Sequence, residues 1–145
     1  MSVEPIPQQV PSPYDSRPML AAVEAPGFSA TRTVMPGEVH VALAGELDLA
    51  TVPIADREIR QAQDSAHNVQ LDLGALTFID AAGLGMVMAA NLRAREVGSR
   101  LAVVYQRSLC VRRLFELIEA DRALDVVDGP AAAPARRNGT RPSPS

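Results

Sequence analysis

From about residue 28 to residue 128 the apolar positions switch repeatedly between two periods. In Glu38-Val-His-Val-Ala-Leu-Ala-Gly45 they recur at every second place, at Val39, Val41 and Leu43. That alternation belongs to a strand with one buried face. Phe28 to Val34 alternates more loosely, and Pro36-Gly37 between the two runs is a turn dipeptide, which predicts a hairpin. Thr51 to Ser65 then takes a helical period. Thr51 is placed to cap, Pro53 falls in the first turn, and Ile54, Ile59 and Ala62 lie near one face. Val69-Gln-Leu-Asp-Leu73 reads as the next strand. Gly83 to Val97 reads as a helix, with Leu84, Val87, Met88, Asn91 and Leu92 at spacings of three and four and Gly98 ending it. Arg100 to Tyr105 is a buried-type strand. Ser108 opens a helix whose Val111, Leu114, Phe115 and Ile118 share a face, and Leu124 to Val127 forms a short last strand.

The resulting order is β-β-α-β-α-β-α-β. Alternating strands and helices imply crossover connections, so the later strands lie parallel while the opening hairpin adds an antiparallel piece. The expected fold is α/β, a mixed sheet of four to five strands with helices mainly on one face. Composition bounds this unit on both sides. Residues 1–25 hold Pro5, Pro7, Pro11, Pro13 and Pro18, with Pro26 following, and are expected to be disordered, because each proline removes a backbone donor. Residues 130–145, rich in Pro, Arg and Ser, form a second tail expected to be disordered, leaving 26–129 as the domain.

Charge and chemistry narrow the function classes. The net charge is −3 with both signs mixed, which gives no electrostatic grip on nucleic acid or an anionic membrane. The apolar run Ala81 to Ala90 is too short to span a bilayer, and the N-terminus lacks the basic start and apolar run of a secretory signal. Cys110 is the single cysteine, so a reducing compartment and a cytoplasmic location are expected. His40 and His67 stand alone, without metal-ligand spacing. There is no phosphate-binding loop and no nucleophile elbow, and all 14 Lys-or-Arg positions are arginine. No metal, cofactor or catalytic residue is expected.

Two segments carry a resemblance. One is Val41-Ala-Leu-Ala-Gly-Glu-Leu-Asp48, followed by Leu-Ala-Thr51. The other is Val69-Gln-Leu-Asp-Leu-Gly-Ala-Leu-Thr-Phe-Ile-Asp-Ala-Ala-Gly-Leu-Gly85. With the late Val111-Arg-Arg-Leu-Phe115, their order and spacing resemble the STAS family, in its anti-sigma factor antagonist type. Independently of any family, Asp80 stands where its carboxylate can accept from the free N–H groups of the following helix, and Gly83 permits close backbone approach.

The resemblance implies a non-enzymatic regulator that binds a kinase-type anti-sigma factor through the Asp80–Gly83 loop. Asp48, Asp80, Ala81, Ala82, Gly83 and Met86 are the expected contact residues, with Met86 the apolar side chain left outside the core. The family's phosphoacceptor follows the Asp, and here that place is Ala81, with Ala82 next. Neither carries a hydroxyl, so the usual serine switch is expected to be missing. The alternative is a STAS scaffold, an accessory subunit of a transport or signalling complex. Oligomeric state is left open.

Overall fold

Three strands precede the first helix in the computed structural model, which describes residues 19–128. They are β1 (Met19–Ala25), β2 (Phe28–Met35) and β3 (Glu38–Leu47), joined as an antiparallel meander. Then follow α1 (Val52–Ser65), β4 (Asn68–Ile79), α2 (Ala81–Glu96), β5 (Arg100–Val104), α3 (Leu109–Ile118), a 3-10 turn at Ala120–Arg122 and β6 (Asp125–Val126). Strands β3 to β6 pair in parallel, and the sheet runs β1-β2-β3-β4-β5-β6.

Sequential parallel strands joined by right-handed crossovers place every crossover helix on the same face. The core agrees: Ile59 of α1, Val87 of α2 and Phe115 of α3 share one buried cluster with Val39, Val41, Leu71, Leu101 and Val103. These strand residues are the odd-numbered ones; in β3 and β4 the even-numbered His40, Ala42 and Gln70 are half-buried or exposed, while in β5 Ala102 and Val104 are buried as well. Each fully buried leucine here, such as Leu43, Leu71 and Leu73, contributes roughly 1.5–3 kcal/mol.

The mixed sheet with helices on one face is the expected architecture, with six strands where four or five were expected. The added strand is β1. It lies within residues 1–25, expected to be irregular, so that expectation does not hold for 19–25; the backbone groups of Met19–Ala25 pair without interruption along β2. Residues 1–18 and the tail 130–145 lie outside the described residues. Helix α2 begins at Ala81, two residues before Gly83, because Asp80 caps it there. Leu92 and Ile118, expected on buried helical faces, are 54% and 42% exposed, each near the last turns of its helix.

Buried polar groups are paired, as burial requires. Glu58 of α1 accepts from the Arg32 guanidinium of β2 at 2.7 Å, and the Asn91 amide donates to the Ala123 carbonyl at 3.0 Å. Among the described residues no helix is long and apolar enough to cross a membrane.

Candidate functional site

The parallel pair β3–β4 ends in a paired exit. Leu47 is in register with Ile79, and the Asp80 N–H donates to the Leu47 carbonyl at 3.2 Å. Asp48 and Asp80 therefore leave from neighbouring strand ends.

After β3 the chain closes on itself. The Asp48 carboxylate accepts from the Ala50 and Thr51 N–H groups at 3.0 and 3.1 Å, a local side-chain turn. Thr51 occupies the cap position of α1 but makes no capping bond with its side chain. Its hydroxyl donates to the Glu46 carbonyl at 2.8 Å and accepts from the Asp48 N–H at 3.0 Å. The expected Thr51 cap is thus corrected: the hydroxyl is drawn back to tie the loop to β3. The turn satisfies its own polar groups and leaves Leu49, 75% exposed, at its tip.

Strand β4 reaches its exit through two register shifts, one between Ala42 and Ala44 of the partner strand and one between Gly45 and Glu46. Each inserts one extra β4 residue and re-aims the side chains beyond it. Alternation from Leu73 would turn Ala75 and Thr77 inward; instead both are exposed and Leu76 is buried, and after the second shift the original phase returns, with Phe78 46% exposed and Ile79 buried. The first shift has a built support. Asp72 accepts from the Gly74 N–H at 2.8 Å and from the Arg107 guanidinium at 2.8 and 3.0 Å. The segment between the shifts is held by Ser108, which caps α3 and donates to the Leu76 carbonyl at 2.8 Å.

Helix α2 opens as the sequence leads one to expect. The Asp80 carboxylate accepts from the Gly83 N–H at 3.0 Å. Gly83 is buried because α2 crosses close to the strand ends: a Cβ there would stand 2.9 Å from the Leu47 carbonyl oxygen and 3.0 Å from Ile79. Gly45, at φ 94°, lies in the left-handed region, where a Cβ would also strike the Gly27 carbonyl.

The structure thus brings Asp48, Asp80, Ala81 and Ala82 to one end of the sheet. Asp48, Asp80 and Ala82 are half-buried and Ala81 is exposed. Gly83 is there too, buried as a packing element. Met86 is not a surface residue. It is 6% exposed and belongs to the core cluster, which corrects its expected place outside the core. The helical period carries position 86 round to the sheet side, one residue before Val87. Two residues that sequence reasoning passed over, Leu49 and Phe78, supply the exposed apolar area of this end. Phe78 stands at an outward place of the β4 alternation, which the two shifts together restore, but its position beside the Asp48 turn is set by pairing with Glu46. The loop position of Leu49 beside Asp48 was visible, but its exposure was not. Asp72 lies on the other side of the shifts, engaged with Arg107. Among the described residues no three His, Cys, Asp or Glu side chains group as a metal site.

A parallel β-α-β-α-β-α unit led by an antiparallel meander, with a capped helix start beside a closed strand-exit loop, is the arrangement of a STAS module. The family model described as "Mlab, STAS domain" matches residues 31–128, and the chain belongs to the STAS domain family. Solved structures share the fold. An anti-sigma factor antagonist from Mycobacterium paratuberculosis is 24% identical with a TM-score of 0.63, over 72% of this chain and 89% of that one. The anti-sigma factor antagonist SpoIIAA in its unphosphorylated form is 22% identical with a TM-score of 0.59, over 70% and 89%. A putative anti-sigma factor antagonist from Thermotoga maritima is 18% identical with a TM-score of 0.54, over 64% and 81%.

Proposed function

We propose that this chain is a cytoplasmic, non-enzymatic regulator that binds a kinase-type anti-sigma factor with the strand-exit end of its sheet. The observation that carries the reading is the convergence of the Asp48 turn and the Asp80 cap at one small surface, joined by the Asp80 N–H to Leu47 carbonyl bond. That surface combines carboxylates with exposed Leu49, Phe78 and Ala81. Apolar side chains exposed beside charged ones are the composition of a protein-binding patch. Asp48, Asp80, Ala81 and Ala82 form its rim, while Gly83 and Met86 support it from below.

Ala81 is the first residue of α2 and is exposed. A phosphate on a hydroxyl there would add roughly −1.5 to −2 charges beside Asp80. Alanine keeps the turn small and uncharged, so binding is constitutive and set by the amounts of the two partners. The test is binding and labelling with purified kinase-type anti-sigma factors and radiolabelled ATP. Asp80→Ala and Ala81→Glu are expected to weaken binding at least several-fold. Ala81→Ser is expected to acquire label that wild type lacks at the Asp80–Gly83 segment. Wild-type affinity in both weakened variants would place the site elsewhere.

A second reading, an accessory subunit of a transport or signalling complex, draws support from Ala81 and Ala82, which offer no hydroxyl for a phosphorylation switch. Failure of wild type to bind any such kinase, with Ala81→Ser also unlabelled, would favour it.

A further inference from the structure

One strand of the described residues is both regular and open along one edge. Among the described residues β1 is the terminal strand of the six, and its seven residues pair with β2 from Met19↔Val34 to Ala25↔Phe28 without a shift. One row of its N–H and C=O groups therefore points away from β2. Natural edge strands are blunted by brevity, bulges, prolines or charges, above all lysine. The other edge, β6, is blunted by its length, two residues. Strand β1, Met-Leu-Ala-Ala-Val-Glu-Ala, has no proline, no cation and no bulge, and Glu24 is its only charge. Its faces are partly open as well, with Val23 and Ala25 half-buried. Leu20 is 69% exposed and Ala22 is exposed on one side, and Ala21 is exposed on the other. The family match begins at residue 31, so β1 lies outside it.

We propose that β1 is a homodimer interface, pairing antiparallel with β1 of a second copy about a two-fold axis at Ala22. The strand's own sequence selects both occupant and register. An isologous contact must be self-complementary, and antiparallel pairing centred on Ala22 engages all seven residues. It sets Ala22 against Ala22, Ala21 against Val23 and Leu20 against Glu24, with no like charges opposed. Centring the pair on Glu24 would oppose two carboxylates and shorten the ladder. In the Ala22 register the main-chain groups of both edges are satisfied, and Leu20, Ala21, Ala22 and Val23 gain apolar neighbours across the seam. The two six-stranded sheets become one. The strand-exit surface with Asp48 and Asp80 belongs to β3 and β4, so the proposal stands independently of the partner assigned above.

The test is sedimentation or light scattering of the full chain over a wide concentration range. Wild type is expected to pass from 15.4 kDa to twice that mass as concentration rises. Ala22→Lys opposes two cations across the seam and should weaken the dimer by at least roughly tenfold. Ala22→Glu should do the same, and an equimolar mixture of the two variants should recover the dimer. Because Ala22 is exposed, circular dichroism of each variant is expected to match wild type. In a Cys110→Ser background, Ala22→Cys should form an intermolecular disulfide on mild oxidation. A wild-type mass of 15.4 kDa at every concentration would overturn the proposal. So would a dimer indifferent to both charges that fails to cross-link through Ala22→Cys.

Discussion

Two glycines two residues apart on the same helix predict opposite responses to the same substitution. Gly83 faces the strand ends, and an added methyl group would meet the Leu47 carbonyl oxygen and side chain at 2.9 Å and Ile79 at 3.0 Å. The backbone oxygen cannot swing away, so α2 must lift from the sheet. Overpacking of this kind costs about 1–3 kcal/mol, more than the gain of up to about 1 kcal/mol from replacing a helical glycine. Gly85 has nothing within 4 Å of the same added atom. There the helical gain acts alone, and Gly85→Ala should stabilise by about 0.5–1 kcal/mol. Urea unfolding of the two variants is expected to move the midpoint in opposite directions. A shared direction would mean that α2 packs differently from the arrangement described.

At the scale of elements, the decisive device is the support of the first β4 shift. Asp72 is 8% exposed and divides its oxygens between the Gly74 N–H and Arg107. Arg107 approaches from the loop before α3, with its side chain 51% exposed. Arg107→Ala leaves a largely buried carboxylate without its cation. Solvent access on the arginine side limits the expected loss to about 1–2 kcal/mol, below the figure for a fully buried pair. Asp72→Asn retains an acceptor for the Gly74 N–H and releases Arg107 to solvent, so it should cost less. Chemical denaturation of the two variants checks the ranking. If Arg107→Ala is as stable as wild type, the shift is held by pairing with β3 alone.

For the molecule as a whole, stability should fall on the alkaline side in a way traceable to one phenol. Burial, with the charges of Asp121 and Glu116 adding to it, pushes Tyr105 above the ordinary tyrosine range. Its ring packs edge-on against Phe115 at 4.8 Å. The folded state thus favours the neutral phenol. This contribution is complete below the unfolded pKa of about 10 and is lost as pH rises from there through the folded value, because the unfolded chain releases the proton first. Unfolding curves recorded between about pH 9 and about pH 11 should show a decline that is shallower in Tyr105→Phe. Equal slopes in the two proteins would show that other groups govern the alkaline limit.

Much of the fold was legible in the chain because it depends on local periods. The alternation of Val39, Val41 and Leu43, the helical spacing around Val87 and the caps at Asp80 and Ser108 are written in consecutive residues, and each states which face is buried. Strand β1 was less legible. Its composition is short and alanine-rich, it follows a proline-rich stretch, and only β2 supplies the partner that makes it a strand. The candidate site divides in the same way. Asp80 could be found from residue type at a helix start, while Asp48 and Ala81, with its missing hydroxyl, are marked by the resemblance to the STAS family. The inward turn of Met86, the outward turn of Ala75 and Thr77 and the retraction of the Thr51 hydroxyl depend on the crossing of α2 over Leu47, the first extra residue of β4 and the carbonyl of Glu46. A sequence determines which residues prefer burial and where backbone donors fall free. Which side chains meet at the end of the sheet is decided by register between strands distant in the chain, because one extra residue reverses every side chain beyond it.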